Sequence, residues 1–239
     1  DPVERASQIY VMSLPDGPPL RLTDTPGFKS LPAFSPDGAR VAYTVVGPDW
    51  KWDTWSVPIT GGQPRLMLPN ANALQWISPD EVLFSQFREG FHLGIVRADV
   101  SGANQRPVWF PPIQYQMAHY SDLSPDGEQI AIGYMGASVG EGGLQCFLSA
   151  LPVPEGEPEP LVSDGRECSM RIRFSPDGSW LYFQSGRRTV VRAPVGGGEW
   201  ETVVDPEGGP ERVKGFDVTA DGWALVFAAG AQQRRVRLR

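Results

Sequence analysis

Phe34-Ser35-Pro36-Asp37-Gly38 is the first of five copies of one short turn. The others read Ile77-Ser78-Pro79-Asp80-Glu81, Leu123-Ser124-Pro125-Asp126-Gly127, Phe174-Ser175-Pro176-Asp177-Gly178 and Val218-Thr219-Ala220-Asp221-Gly222. The steps between them are 43, 46, 51 and 44 residues. Proline presets φ for the second position of a type I turn, and aspartate suits the next. Glycine then takes the left-handed conformation that closes a bulged hairpin. Apolar alternation flanks the turn, with Leu31, Ala33 and Phe34 before it and Val41, Ala42 and Tyr43 after it. Each copy therefore predicts a hairpin, strands A and B. Phe34, Ile77, Leu123, Phe174 and Val218 share one position and are expected in the core. Glu81 stands where the other copies have glycine, so the second turn is expected to differ.

A second turn recurs in phase with the first. It appears as Pro15-Asp16-Gly17, Thr60-Gly61-Gly62, Ser101-Gly102-Ala103, Pro154-Glu155-Gly156 and Gly196-Gly197-Gly198. An alternating run precedes each copy and a short strand follows, such as Arg65-Leu66-Met67-Leu68. These are strands C and D. A period of this size with four strands per repeat is the signature of an all-β propeller. The chain opens with a C–D pair, runs through four A–B–C–D units and closes with an A–B pair at 214–229. The expected fold is a five-bladed β-propeller, residues 1–239 as a single domain. Its N-terminal C–D strands would join the C-terminal A–B strands and remove exposed sheet edges. The alternative is a six-bladed ring in which Arg235 to Arg239 add a further C strand.

The F-S-P-D-G hairpin, the strand Ile9-Tyr10-Val11-Met12 and the strand Arg21-Leu22-Thr23-Asp24 resemble TolB-type, WD-repeat-like bacterial β-propeller repeats. The resemblance covers nearly the whole chain and is specific for fold. Similar repeats occur in periplasmic TolB, in prolyl-oligopeptidase-type enzymes and in extracytoplasmic parts of bacterial receptor kinases. It thus implies an extracytoplasmic setting, periplasmic or secreted. TolB carries an additional N-terminal domain and the peptidases a separate α/β-hydrolase domain, and neither has room here.

Composition bounds the function. The net charge is −7 with no basic block, which argues against nucleic acid as a partner. No apolar run approaches the roughly 20 residues that span a bilayer. The chain starts at Asp1 without a signal peptide, which reads as a mature protein or an excised domain. Two histidines and no local Cys/His cluster argue against a zinc site, and no cofactor motif is present. Cys146 and Cys168 fall near one rim; two separate thiols are the favoured reading and a bridge the alternative.

Loops that depart from the repeat carry function more often than those the fold requires. The B–C and D–A loops emerge on one side and are rich in aromatics and charge. Trp50, Lys51 and Trp52 lead into a C strand; Phe91, Tyr115, His119, Tyr120 and Arg187 lie in comparable loops. Aromatic area combined with charge is the composition of interface hot spots, so these eight residues are the candidate partner-binding set. Packing over the ring is the competing reading for the tryptophans, and plugging of the channel for the longest loop. Two residues before the S-P-D turns, Asp122, Arg173 and Asp217 form an equivalent polar layer. It reads first as an inter-blade ion pair, and second as a site for a small ligand or cation. Gly136-Ala137-Ser138-Val139-Gly140 matches G-x-S-x-G but lies between strands, away from the strand-to-helix elbow a nucleophile needs.

The expected function is a monomeric, non-enzymatic binding or sensor module that presents the B–C/D–A face to a protein, peptide or envelope ligand. A receptor-kinase ectodomain is one such setting. The alternative is a peptidase- or glycan-active propeller, or the gating propeller of a hydrolase.

Overall fold

A computed structural model describes residues 7–13, 17–47, 51–137, 144–153, 156–162, 171–185, 189–205, 213–222, 224–229 and 232–237. Among these residues the chain is all-β, with no helix. It falls into two compact units, 1–110 and 111–239.

In the first unit, β1 (Tyr10–Val11) pairs antiparallel with β2 (Leu20–Arg21). Next comes a four-stranded sheet of β3 (Phe28–Phe34), β4 (Arg40–Val46), β5 (Trp52–Pro58) and β6 (Arg65–Leu68), paired in chain order. The same order joins β7 (Asn72–Trp76), β8 (Glu81–Phe87), β9 (Leu93–Asp99) and β10 (Arg106–Trp109). Ile9 and Leu22 pack against Val41, Tyr43 and Val57 on one face of the β3–β6 sheet. Ala42 and Leu68 meet Leu74, Val82, Phe84 and Val96 of the β7–β10 sheet. Each sheet is thus buried by its neighbours rather than by water.

In the second unit, β11 (Met117–Leu123), β12 (Gln129–Ala137), β13 (Leu144–Pro152) and β14 (Glu159–Val162) pair in order. So do β15 (Ile172–Phe174), β16 (Trp180–Ser185), β17 (Thr189–Pro194) and β18 (Glu201–Val204). The last sheet holds β19 (Val213–Val218), β20 (Ala224–Ala229) and β21 (Gln232–Arg237). A core of Ala131, Leu148, Ile172, Phe174, Leu181 and Phe183 joins the first two of these sheets.

The S-P-D-G turn is built as its residues dictate. The Ser35 hydroxyl donates to Asp37 Oδ1 at 2.6 Å, and the Ala39 N–H reaches the same oxygen at 3.0 Å. Ser35 Oγ in turn accepts the Arg40 N–H at 3.0 Å. Gly38 sits at φ 67° and donates to the Ser35 carbonyl. Ser124/Asp126 and Ser175/Asp177 repeat the pattern. The second turn differs as expected. Glu81 opens β8 and pairs with Arg97 and Arg106 instead.

Three expectations are corrected. The N-terminal C–D strands do not join the C-terminal A–B strands: β1 and β2 form a sheet of their own, and β20 is flanked by β19 and β21. The chain's last residues supply their own C strand, which occupies the edge that closure needed. Phe34 is 57% exposed, whereas its counterpart Phe174 is 7% exposed. Ile77, Leu123 and Val218 are half-buried. Cys146 is disulfide-bonded rather than a separate thiol. The only other cysteine in the sequence, Cys168, lies outside the described residues.

Candidate functional site

Trp50 and Arg187 lie outside the described residues, as does Ser138 of the G-x-S-x-G match. The remaining loop candidates fall in two places, one in each unit.

In the first unit, Lys51 is exposed and its carbonyl accepts the Gly47 N–H at 2.7 Å, closing the B–C turn. Trp52 opens β5 and packs its ring 4.9 Å from Phe87, tilted by 54°. Asn70, at φ 50°, braces this corner. Its N–H donates to Asp53 Oδ1 at 2.8 Å and its Nδ2 to the Phe87 carbonyl at 2.8 Å, while its Oδ1 accepts the Phe87 N–H at 3.2 Å. Trp52 is therefore half-buried structure, and Phe91 is the aromatic this rim offers to solvent, at 54% exposure. The Arg88 N–H to His92 carbonyl bond, 2.9 Å, holds the turn that carries Phe91. Beneath it, the Arg88 guanidinium lies 3.5 Å over the Phe110 ring. Gly94 makes room for that ring: a Cβ there would sit 2.3 Å from Phe110.

In the second unit, Tyr115 takes φ 73° and is 64% exposed. The neighbouring Gln116 is buried, against a Gly136 backbone that a Cβ would bring within 2.5 Å of its Nε2. Strand β11 then bulges between Ala118 and Tyr120, leaving His119 as the extra residue. A bulge re-aims a side chain, and here His119 Nε2 meets Met135 Sδ at 3.2 Å. Burial favours the neutral imidazole and pushes the His119 pKa down to about 4. Burial also raises the Tyr120 hydroxyl, with the Arg171 charge opposing that shift. Arg171 is itself lowered, first by burial and then by Arg173. Its guanidinium lies on the backbone of Gly215, where a Cβ would come within 2.8 Å of Cζ.

The polar layer meets in one array. Arg173 Nη1 faces Asp122 Oδ1 at 3.5 Å, and Arg173 Nε faces Asp217 Oδ1 at 3.2 Å. Asp122 is buried, and its Oδ2 accepts the Phe174 N–H at 2.7 Å. One carboxylate thus ties β11 to β15, and one arginine ties both to β19. An acid–base pair for hydrolysis needs two carboxylates free to exchange protons with substrate; these two share an arginine. Sequence reading missed Arg171, Gln116, Asn70, Phe87 and Phe110. The available signal for Arg171 was its alternation with Arg173, two charges on one side of an inner strand.

No protein-family model matches the chain. The curated protein described as "Putative Tricorn-like protease N-terminal subunit", from Sulfurisphaera tokodaii, is 26% identical over 157 residues, covering 56% of this chain and 74% of that protein. A "putative TolB" from Agrobacterium tumefaciens superposes with a TM-score of 0.68 at 21% identity, over 89% of this chain and 74% of that one. A nidogen/laminin complex superposes with a TM-score of 0.65 at 10% identity, over 88% of this chain and 76% of that one. Likeness at these identities is likeness of fold: the chain is an all-β protein of the TolB-like β-propeller kind.

Proposed function

We propose that this protein is a non-enzymatic binding module, extracytoplasmic, that engages a protein or peptide through the rim of B–C and D–A loops. The observation that carries the reading is the contrast within the candidate set. The charged side chains of the inner strands are spent on one another, with Arg173 shared by Asp122 and Asp217. The rim aromatics Phe91 and Tyr115 are instead spent on nothing inside the fold, at 54% and 64% exposure. Exposed aromatics beside mobile charge such as Lys51 suit protein recognition. The bonded Cys146 favours an oxidising compartment, outside the cytoplasm.

The test replaces Phe91 and Tyr115 together by serine and measures recovery of envelope proteins on immobilised protein, with the melting temperature alongside. Loss of recovery at an unchanged melting temperature supports the reading. Full recovery overturns it.

The second reading, a propeller that gates a hydrolase, rests on the similarity to the Tricorn-like protease subunit. It predicts that the same double substitution changes turnover by an associated hydrolase rather than capture of a binding partner.

A further inference from the structure

Phe34, Val41 and Val57 lie side by side across β3, β4 and β5. Their exposures are 57%, 3% and 0%. The equivalent row in the β15–β18 sheet is Phe174, Leu181 and Ala193, at 7%, 1% and 8%. The difference lies in what covers each row. Tyr120, Ala131 and Leu148, from β11, β12 and β13, pack over the second. Ile9, Val11 and Leu22 of the β1–β2 segment pack over the first, and they reach only Val41, Tyr43 and Val57. The inner half of the face, where Phe34 sits, has no cover among the described residues.

The β1 edge on that side is also open. Ile9 accepts the Leu22 N–H, so Ile9 and Val11 direct their backbone groups toward β2. Antiparallel alternation then turns the Tyr10 and Met12 groups away from it. Tyr10 and Met12 are 55% and 39% exposed. In every four-stranded sheet of the chain, the strand at the position of β1 pairs on that edge with an A–B hairpin.

We infer that the open edge of β1 and the uncovered face around Phe34 form a docking site for a β-hairpin of the A–B type. That hairpin pairs antiparallel along Tyr10 and Met12 and lays apolar alternate residues on Phe34. The hairpin comes from outside residues 7–237. Each of the five A–B hairpins described here already holds a C strand of its own sheet: β5, β9, β13, β17 and β21. A second copy has the same hairpins, equally engaged, so it has none to lend.

The experiment fuses a copy of the Arg171–Ser185 hairpin ahead of the chain through a flexible Gly/Ser linker, which sets its effective concentration in the millimolar range. The expected results are a melting temperature several degrees above that of the parent chain, and amide-exchange protection of Tyr10 and Met12 by at least tenfold. Phe34→Asp should erase both gains while leaving the unfused chain's melting temperature within a degree. Tyr10→Pro, which removes a donor from the open edge alone, should erase the protection at Met12. Unchanged melting and exchange in the fused chain would overturn the inference. So would sedimentation of the unfused chain as a dimer in which Tyr10 and Met12 are already protected.

Discussion

Asp122 reaches across from β11 to accept the Phe174 N–H at 2.7 Å, 52 residues further along the chain. Its other oxygen faces Arg173, so a single buried carboxylate satisfies one backbone donor and one charge of the neighbouring sheet. A buried N–H without a partner costs about 1–3 kcal/mol, and an arginine stripped of a buried partner costs more. The pair is thus a joint between sheets before it is anything else.

Replacing Asp122 by alanine should therefore destabilise the protein by about 2–4 kcal/mol. Asp122→Asn keeps an acceptor for the Phe174 N–H and should cost roughly half as much. Urea denaturation of the two variants checks this; equal losses would mean that the charge, not the hydrogen bond, is the joint.

Phe174→Ala and Phe34→Ala remove the same ring from the same repeat position. The first should cost about 3–5 kcal/mol, as buried phenylalanines do. The second should stay within about 0.5 kcal/mol, as exposed positions do. Denaturation midpoints that move together would contradict the difference in burial.

His119 gives the protein a stability that depends on pH. The unfolded histidine takes up its proton near 6.5, the folded one only near 4. Between those values the unfolded state binds more protons, so stability falls as the pH is lowered from about 6.5 to about 4 and is complete above that window. Denaturation from pH 7.5 to pH 4.5 should show the decline, and His119→Phe should flatten it. A slope unaltered by the substitution would place its source elsewhere.

A second window opens below it. The Ser175 hydroxyl, then the Ser179 N–H and hydroxyl, hold Asp177 down to about 2, against an ordinary value of 3.8. Its contribution is present above the ordinary value and is lost as the pH falls from there toward about 2. Asp177→Asn should remove that part of the acid-range decline, read from melting temperatures between pH 4.5 and pH 2.

How much of this was legible in the sequence follows from how local each cause is. The S-P-D-G turn was readable because serine, aspartate and glycine satisfy one another within five residues. The meeting of Asp122, Arg173 and Asp217 could be anticipated because one repeat position recurs on successive inner strands. Phe34 misled because its burial depends on which strands cover its sheet, and the repeat says nothing of that. Trp52 looked like a loop aromatic, yet Phe87 and Asn70, distant in sequence, fold it into a corner. His119 was visible as a residue but not as a bulge, since no turn residue marks the extra position. The strand Gln232–Arg237 was foreshadowed only as an alternative, because its glutamines and arginines lack the apolar alternation of the other C strands.

The central claim is that the rim bearing Phe91 and Tyr115 is the binding face. Site-specific photocrosslinking tests it directly, with a photoreactive phenylalanine placed at Phe91, at Tyr115 and, on the S-P-D-G turns, at Pro36 and Pro125. In a native envelope extract, the account predicts a discrete adduct from Phe91 and Tyr115 and none from the two prolines. Adducts from the proline positions alone, or none from Phe91 and Tyr115, would contradict it.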